Sequence, residues 1–247
     1  MMRFASKTIM IIGSSMTQRA FDPLYNGFGI EIANWYSRTA DLILRGQSGY
    51  NSRWILQGIE SIVGSYKPDL CVLFLGNNDA TKKGQNVPPE EFKENVVKII
   101  NYLHQVNSDM DVILLTPTRA DESVRRHDTT KLYVDEIWSI LSSNLDNSGH
   151  IAVGDLWSGE NSITLSDLCD SCHLNINGNR KVAMEIKETS RKHFPHLIPF
   201  HDECITPSSS EKEVNDIKLK YLFPPWTELA GRSQEETRLI INNCLNN

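Results

Sequence analysis

Short apolar runs alternate with longer amphipathic segments along this chain, and this alternation limits the fold more than any other feature. Each run is entered or left through Gly, Pro, Asp or Asn, which is typical of buried strands in a parallel sheet. The segments between the runs place apolar residues at helical spacing. The alternation therefore predicts βαβ units, in which helices cover both faces of one sheet. The predicted strands are residues 7–13, 40–45, 69–75, 111–116 and 150–153.

The predicted elements suffice for a three-layer α/β/α sandwich with a five-stranded, mostly parallel sheet. The predicted helices are residues 29–38, 52–64, 89–105, 129–147 and 177–193. A length of 247 residues fits one large α/β domain, which we expect to span residues 1–205. Residues 206–247 are predicted to form a C-terminal extension, in which an exposed linker precedes a terminal helix. We expect this extension to pack on the same domain.

Charge and composition exclude several classes of partner. The formal net charge of −6 makes nucleic acids and anionic membranes poor partners, so a small molecule is favoured. No apolar run approaches the roughly 20 residues that cross a bilayer, and the run at residues 8–12 is too short for a signal-peptide core. Five cysteines, an odd number, disfavour a secreted disulfide framework. We expect a cytoplasmic protein with reduced thiols, and a homodimer is compatible with this sequence.

Four polar clusters carry the residues with useful chemistry. Three follow predicted strands, and the fourth precedes the last long helix. Because loops at the carboxyl ends of strands converge on one crevice in open α/β sheets, we expect these clusters to meet in space. They are Gly13-Ser14-Ser15, residues 45–51 (RGQSGYN), residues 75–79 (LGNND) and residues 170–175 (DSCHLN). Each cluster by itself is more typical of an ordinary turn than of a site, so their order along the chain is the informative feature.

That order resembles the sequence blocks of the GDSL, or SGNH, hydrolases, in which a serine, a glycine, an asparagine and a histidine follow one another. Here these residues are Ser15, Gly49, Asn78 and His173. The stretches NWYSR at residues 34–38, RGQSGYNSRW at residues 45–54 and GNNDA at residues 76–80 further resemble the isoamyl acetate-hydrolysing esterase subfamily. The resemblance implies a flavodoxin-like α/β/α sandwich and hydrolysis of small esters.

Three of these side chains are expected to form a catalytic triad. A serine hydroxyl needs a base, and an imidazole such as that of His173 titrates near neutral pH, so His173 is assigned to activate Ser15. Asp170 lies three residues before His173, one turn away if the loop is helical, and is expected to hold the imidazole ring. The chemistry therefore needs no cofactor and no metal. The other histidines have no acid or cysteine at ligand spacing and are expected to be surface or packing residues.

Oxyanion and substrate contacts are assigned to the remaining motif residues. The resemblance implies an oxyanion hole made by the backbone N–H groups of Ser15 and Gly49 and by the side-chain amide of Asn78. Gly49 suits this role because a residue without Cβ lets the main chain approach a ligand at positive φ. Tyr50 and Asn51, next to Gly49, are predicted to bind substrate.

Two features depart from this pattern. The first block has Ser14 where the family normally has an aspartate, which predicts altered hydrogen bonds beside the nucleophile. The sequence CDSCH at residues 169–173 matches redox-motif and haem-attachment spacing. No second axial ligand accompanies it, and a redox pair would be expected at the first βα junction, so cysteines that only flank the triad loop are the preferred interpretation. Under that interpretation, oxidation of Cys169 and Cys172 is expected to inhibit the enzyme reversibly.

The leading hypothesis is a serine ester hydrolase that cleaves short-chain acyl or acetate esters through an acyl-enzyme. Acetylated sugars, lysophospholipids with a role in lipid degradation, and thioesters are the alternatives within the same chemistry. A non-catalytic binding protein with the same fold is the alternative from another class. Nucleotide binding is disfavoured because neither glycine-rich phosphate motif follows the first strand.

Overall fold

The fold is one parallel five-stranded sheet with helices on both faces. We describe it from a computed structural model, which covers residues 7–37, 39–82, 84–142, 149–199, 202 and 231–245. The strand order is β2-β1-β3-β4-β5, and every neighbouring pair is parallel. The strands are β1 (Lys7–Gly13), β2 (Ala40–Gly46), β3 (Leu70–Phe74), β4 (Asp111–Leu115) and β5 (Ile151–Gly154). The predicted set of five strands is therefore correct, with small shifts at the ends.

Seven α-helices are described beside the sheet. They are α1 (Ser15–Gln18), α2 (Phe28–Trp35), α3 (Ser52–Val63), α4 (Pro89–Val106), α5 (His127–Ser142), α6 (Ile176–His193) and α7 (Gln234–Leu245). The predicted helices correspond to α2 to α6, but α1 was missed because four residues are too few for a helical periodicity. The C-terminal part of the predicted helix at 129–147 includes residues 143–147, which lie outside the described residues.

The apolar side chains of the strands divide into two cores, one on each face of the sheet. One core joins α3, α4 and α5 to alternate residues of the strands, such as Met10 and Ile12. The other joins α2 and α6 to the intervening residues, such as Ile9 and Ile11. The central strands β3 and β4 are buried along their whole length because both faces are covered. This arrangement is the predicted three-layer α/β/α sandwich.

The C-terminal extension is described only in part. Residues 206–230 of the predicted extension lie outside the described residues, and the terminal helix predicted from the sequence corresponds to α7. Packing of the extension against the main domain stays a prediction. Within the described ranges, the structure contains no helix with the length and apolar character that a membrane crossing requires.

Candidate active site

The four polar clusters meet at the carboxyl edge of the sheet. β1 lies between β2 and β3, so the chain leaves β1 toward β2 and leaves β3 toward β4, in opposite directions, and a crevice forms between the ends of β1 and β3. Ser15, Gly49, Asn78 and His173 all line one cavity of about 510 Å³ at this place. The structure therefore brings together the four residues that the order of motifs singled out.

Ser15 begins the short helix α1, which lies against the ends of two strands. Gly13 of β1 pairs in register with Gly46 of β2, and α1 is packed directly over this pair. A Cβ atom on Gly46 would collide with the backbone nitrogen of Gln18, and one on Gly13 would collide with the Thr17 side chain. Because Gly13 and Gly46 have no side chains, the turn that carries Ser15 can pack directly against the ends of both strands.

A continuous chain of hydrogen bonds joins Ser15 to His173 and Asp170. The Ser15 Oγ atom lies 3.0 Å from Nε2 of His173, and Nδ1 of the same ring lies 2.7 Å from Oδ2 of Asp170. Both distances are within the range of a hydrogen bond. The arrangement has the geometry by which a base removes the proton of a serine while an acid orients the base.

The loop that supplies Asp170 and His173 is closed at its base like a small hairpin. Leu168 and Leu174 form an antiparallel bridge, and the N–H of Cys169 donates to the carbonyl of His173 over 2.8 Å. Inside the loop, Oδ1 of Asp170 accepts from the backbone N–H groups of Cys172 and His173, at 2.8 and 2.7 Å. Asp170 therefore reaches the imidazole through a turn built on its own carboxylate, not through a turn of helix.

The same contacts control the charge of Asp170. Burial raises the pKa of this carboxyl, but the N–H groups of Cys172 and His173 and the His173 ring outweigh burial and lower the pKa to about 2. Asp170 is therefore an anion at all pH values near neutrality. An anion behind the imidazole stabilises the imidazolium that forms when the serine proton is transferred.

The three proposed oxyanion donors have geometries compatible with that role. Gly49 has φ +83°, and no described group accepts a hydrogen bond from its N–H. The N–H of Ser15 stands in the first turn of α1, where no intrahelical acceptor exists. One N–H of the Asn78 amide donates to the carbonyl of Tyr50 over 2.8 Å, which fixes the amide and leaves its second N–H for the cavity.

Buried polar residues hold the loops that carry Gly49 and Asn78. Asp79 is 1% exposed and accepts from the N–H of Ser52 at the start of α3, over 2.9 Å. Burial raises the pKa of Asp79 in spite of the hydrogen bonds from Ser52. Gln85 donates to the carbonyl of Gly49 over 2.7 Å. These bonds join the loop after β2 to the loop after β3, so the two sides of the oxyanion region are fixed to each other.

The two predicted substrate-binding residues do not line the cavity. Asn51 is buried, and its side chain caps α3 by accepting from the N–H of Trp54 and donating to the carbonyl of Gln85. Tyr50 is exposed and packs edge to face against Trp54, with ring centroids 5.9 Å apart. The structure therefore gives Asn51 a capping position, which its place directly before a helix explains.

The loop after β4 contributes residues that the motifs did not indicate. Ser123, Val124 and Arg125 line the cavity together with the motif residues, and Arg125 is 3% exposed. The N–H of Asp121 donates to the carbonyl of Ser171 over 2.8 Å, which joins this loop to the triad loop. The sequence feature that could have indicated these residues is the position of their loop at the carboxyl end of a predicted strand.

One cluster in the described part of the chain has metal-binding chemistry, and it is the triad loop itself. Ligand atoms of Asp170, Cys172 and His173 lie within 4.8 Å of one another, with Cys172 Sγ 3.5 Å from His173 Nδ1. Burial, followed by the charge of Asp170, raises the pKa of the Cys172 thiol, which opposes the thiolate that a metal needs. Cys169 and Cys172 are both free thiols.

Two other histidines meet an acid at the opposite end of the sheet. Asp111, 1% exposed at the start of β4, lies 2.7 Å from Nδ1 of His150 and 2.9 Å from Nε2 of His196. The sequence separates these residues by tens of positions, so spacing could not reveal the cluster. It lies at the amino end of the strands, away from the cavity.

Comparison with known proteins agrees with this geometry. The chain matches the GDSL-like lipase/acylhydrolase family over residues 11–181. A GDSL esterase/lipase of Arabidopsis thaliana is 32% identical and aligns with 78% of this chain and 89% of its own length. The isoamyl acetate-hydrolyzing esterase 1 homolog of Bos taurus is 28% identical and aligns with 92% of this chain and 90% of its own length.

A solved structure supports the fold. The crystal structure of the lipase/acylhydrolase from Enterococcus faecalis superposes with a TM-score of 0.59 at 23% identity, covering 78% of this chain and 98% of that chain. At this level of identity, the superposition bears on the arrangement of strands and helices alone. It agrees with the α/β/α sandwich described above.

Proposed function

This chain belongs to the GDSL-like lipase/acylhydrolase family of ester hydrolases, and from that premise we propose that it cleaves small carboxylic esters through an acyl-enzyme on Ser15. The hydrogen-bonded chain from Ser15 through His173 to Asp170 is the single observation that carries this proposal. The resemblance to the isoamyl acetate-hydrolysing subfamily, inferred from motifs, is confirmed by a relative of that name aligned over 92% of the chain.

In the first half-reaction, Oγ of Ser15 attacks the carbonyl carbon while its proton moves to Nε2 of His173. The carbonyl oxygen becomes an oxyanion, which the N–H groups of Ser15 and Gly49 and the amide of Asn78 stabilise. Asp170 stabilises the imidazolium that has formed. The tetrahedral intermediate then collapses, the alcohol leaves with the proton from His173, and the acyl group stays on Ser15.

In the second half-reaction, water takes the place of the alcohol. His173 accepts a proton from this water, the hydroxyl attacks the acyl carbon, and the same donors stabilise the second oxyanion. Collapse returns the proton to Oγ of Ser15 and releases the carboxylic acid. The overall reaction consumes one ester and one water and yields one alcohol and one carboxylic acid.

The cavity supports short acyl or acetate esters as the substrate class. A volume of about 510 Å³ lies in the lower half of the roughly 300–1,000 Å³ that ligand pockets span. Acetylated sugars and lysophospholipids, which would place the enzyme in lipid degradation, are the competing substrates. The intact bond between Ser15 and His173 disfavours a non-catalytic binding protein. We also propose a cytoplasmic location, which the free thiols of Cys71, Cys169 and Cys172 support.

Substitution of Ser15 tests the nucleophile. We expect Ser15→Ala to abolish labelling by a fluorophosphonate probe and to lower kcat for p-nitrophenyl acetate by about 10⁴-fold or more, because no other hydroxyl of the described residues is bonded to His173. Ser65→Ala, at an exposed serine outside the cavity, is the matched control and should label and turn over like the wild type. Persistent labelling of Ser15→Ala would contradict the assignment.

A series of p-nitrophenyl esters of increasing acyl length then tests the substrate class. We expect kcat/KM to be highest for short acyl chains. A maximum at long chains would favour lysophospholipids instead, and faster release of acetate from acetylated sugars than from alkyl acetates would favour the carbohydrate alternative.

A further inference from the structure

Arg125 is a buried cation in the wall of the catalytic cavity. It is 3% exposed, and it lines the same space as Ser15 and His173. Among the described residues, no carboxylate forms an ion pair with it. A buried charge is costly unless an opposite charge or a full set of hydrogen bonds compensates it.

The hydrogen bonds of Arg125 compensate this charge only in part. Nη1 donates to the carbonyl of Asn77 over 3.2 Å, and Nη2 donates to the carbonyl of Thr118 over 3.2 Å and, more weakly, to the Thr118 hydroxyl and the Arg119 carbonyl, both at 3.4 Å. Nε is buried and has no partner in the described structure. All the acceptors are neutral and the bonds are long, so the positive charge is left without an opposite charge.

Two acids of the adjoining loops, Asp170 and Asp121, are already engaged by other groups. Asp170 is held by the N–H groups of Cys172 and His173 and by the imidazole ring. The exposed Asp121 binds the hydroxyl and the N–H of Ser123. Burial lowers the pKa of Arg125, but only to about 10, so the guanidinium keeps its charge at neutral pH.

We propose that Arg125 is an anion-binding subsite of the catalytic cavity and that the substrate is an ester that also bears a carboxylate. This inference rests on the proposed esterase function and specifies its substrate class. A single guanidinium suits a single carboxylate, with which it forms charge-assisted hydrogen bonds inside a low-dielectric wall. The chain as a whole carries a net charge of −6, which repels anions at long range, so selection for a carboxylate requires a local cation of this kind.

Two pairs of esters of matched shape test the proposal. Methyl hydrogen glutarate and methyl 5-methylhexanoate differ by a carboxylate in place of an isopropyl group on the acyl side. The salt of 3-acetoxypropanoic acid and isoamyl acetate differ in the same way on the alcohol side. We expect the wild type to favour the carboxylate ester by about 10-fold or more in kcat/KM in one of the pairs, and that pair identifies the side that faces Arg125.

Variants at Arg125 assign the preference to this residue. In Arg125→Gln we expect the ratio of kcat/KM for the carboxylate ester over its isostere to fall to about 1, whereas Arg125→Lys, which keeps a cationic group but loses the planar set of donors, should keep only part of it. Arg126→Gln is the matched control, since Arg126 is exposed, pairs with Asp128 and lies outside the cavity. Its ratio should equal that of the wild type.

The ratio of kcat/KM between the carboxylate ester and its isostere distinguishes anion binding by Arg125 from a positioning role of this residue. Arg125 also binds the carbonyl of Asn77, so Arg125→Gln is expected to slow both esters, and an equal loss on both would overturn the proposal. A wild type that prefers the neutral isostere in both pairs overturns it without any variant, which keeps the test valid if Arg125→Gln fails to fold by circular dichroism. Failure of the proposed function is distinguishable, because the wild type would then hydrolyse neither ester and Ser15 would not label.

Discussion

Asp170 uses both oxygens of one carboxylate for two different tasks. Oδ2 holds the His173 ring, and Oδ1 holds the backbone of the loop that presents the ring. The orientation of the His173 ring therefore depends on the same carboxylate that shapes its loop. The order of motifs indicated the partnership, but the turn that achieves it depends on backbone N–H groups, which every residue has and no motif can reveal.

Replacement of Asp170 separates charge from loop shape. In Asp170→Asn the amide oxygen can still accept from the two N–H groups, but no anion stands behind the imidazole. We expect kcat to fall by about 10²–10⁴-fold with little change in KM. The measurement is steady-state hydrolysis of p-nitrophenyl acetate, with the exposed Asp128→Asn as the control. A variant with nearly wild-type kcat would remove Asp170 from the mechanism.

The sequence motifs indicated the proposed triad and oxyanion residues, but they did not indicate the other residues that line the cavity. Ser15, Gly49, Asn78 and His173 line one cavity, as the convergence of strand ends predicts. Arg125 was missed because an arginine in a charged loop normally faces solvent. Its burial depends on the carbonyl groups of Asn77, which follows β3, and of Thr118, which follows β4 in the same loop as Arg125.

At the scale of secondary-structure elements, the central strands were predictable and the shortest helix was not. β3 and β4 are short, wholly buried apolar runs, so composition defines them. The helix α1 has only four residues, and what determines it is the packing of Gly13 and Gly46 beneath it. Some helix ends shifted for a similar reason, since capping contacts such as that of Asn175 before α6 lie outside the apolar pattern.

Adding one methyl group at Gly46 tests the contact between β2 and α1. In Gly46→Ala the new Cβ would meet the backbone of Thr17 and Gln18, and backbone cannot move aside as a flexible side chain can. We expect the free energy of unfolding to fall by roughly 1–3 kcal/mol and kcat to fall as well, because α1 carries Ser15.

Urea denaturation and fluorophosphonate labelling rates measure the two effects. Gly84→Ala is the control, since a Cβ there has no atom within 4 Å and φ is not in the left-handed region. Equal stability and labelling of the two variants would show that α1 can shift without cost.

At the scale of the whole molecule, the sheet separates two groups of ionisable residues. The proposed catalytic groups lie at the carboxyl ends of the strands, and Asp111, His150 and His196 lie at the amino end. Each cluster joins residues that are distant in sequence. The alternation of strands and helices predicted the sheet that brings them together, but it could not predict which side chains would point toward each other.

The ionisation of Asp170 should contribute to the pH dependence of the free energy of unfolding. The folded-state pKa of about 2 lies below the ordinary aspartate value of about 3.9, so folding favours the ionised form. The resulting stabilisation is complete above the unfolded value and is lost as pH falls toward 2. We expect urea denaturation between pH 5 and pH 2.5 to show a smaller decline for Asp170→Asn than for the wild type. Identical declines would mean that the carboxylate gains nothing from its loop.

Ser15 is packed over the glycine residues that end β1 and β2, and this position determines which parts of the chain can change in sequence without moving Ser15. The nucleophile is fixed by main chain and by the sheet, whereas Arg125 and its neighbours reach the cavity from a loop that the sheet does not need for its own hydrogen bonds. On the proposal made for Arg125, substrate preference and the position of the nucleophile therefore depend on separate parts of the chain. Exchange of the loop after β4 is therefore a route to new substrates that leaves the reactive serine where it is.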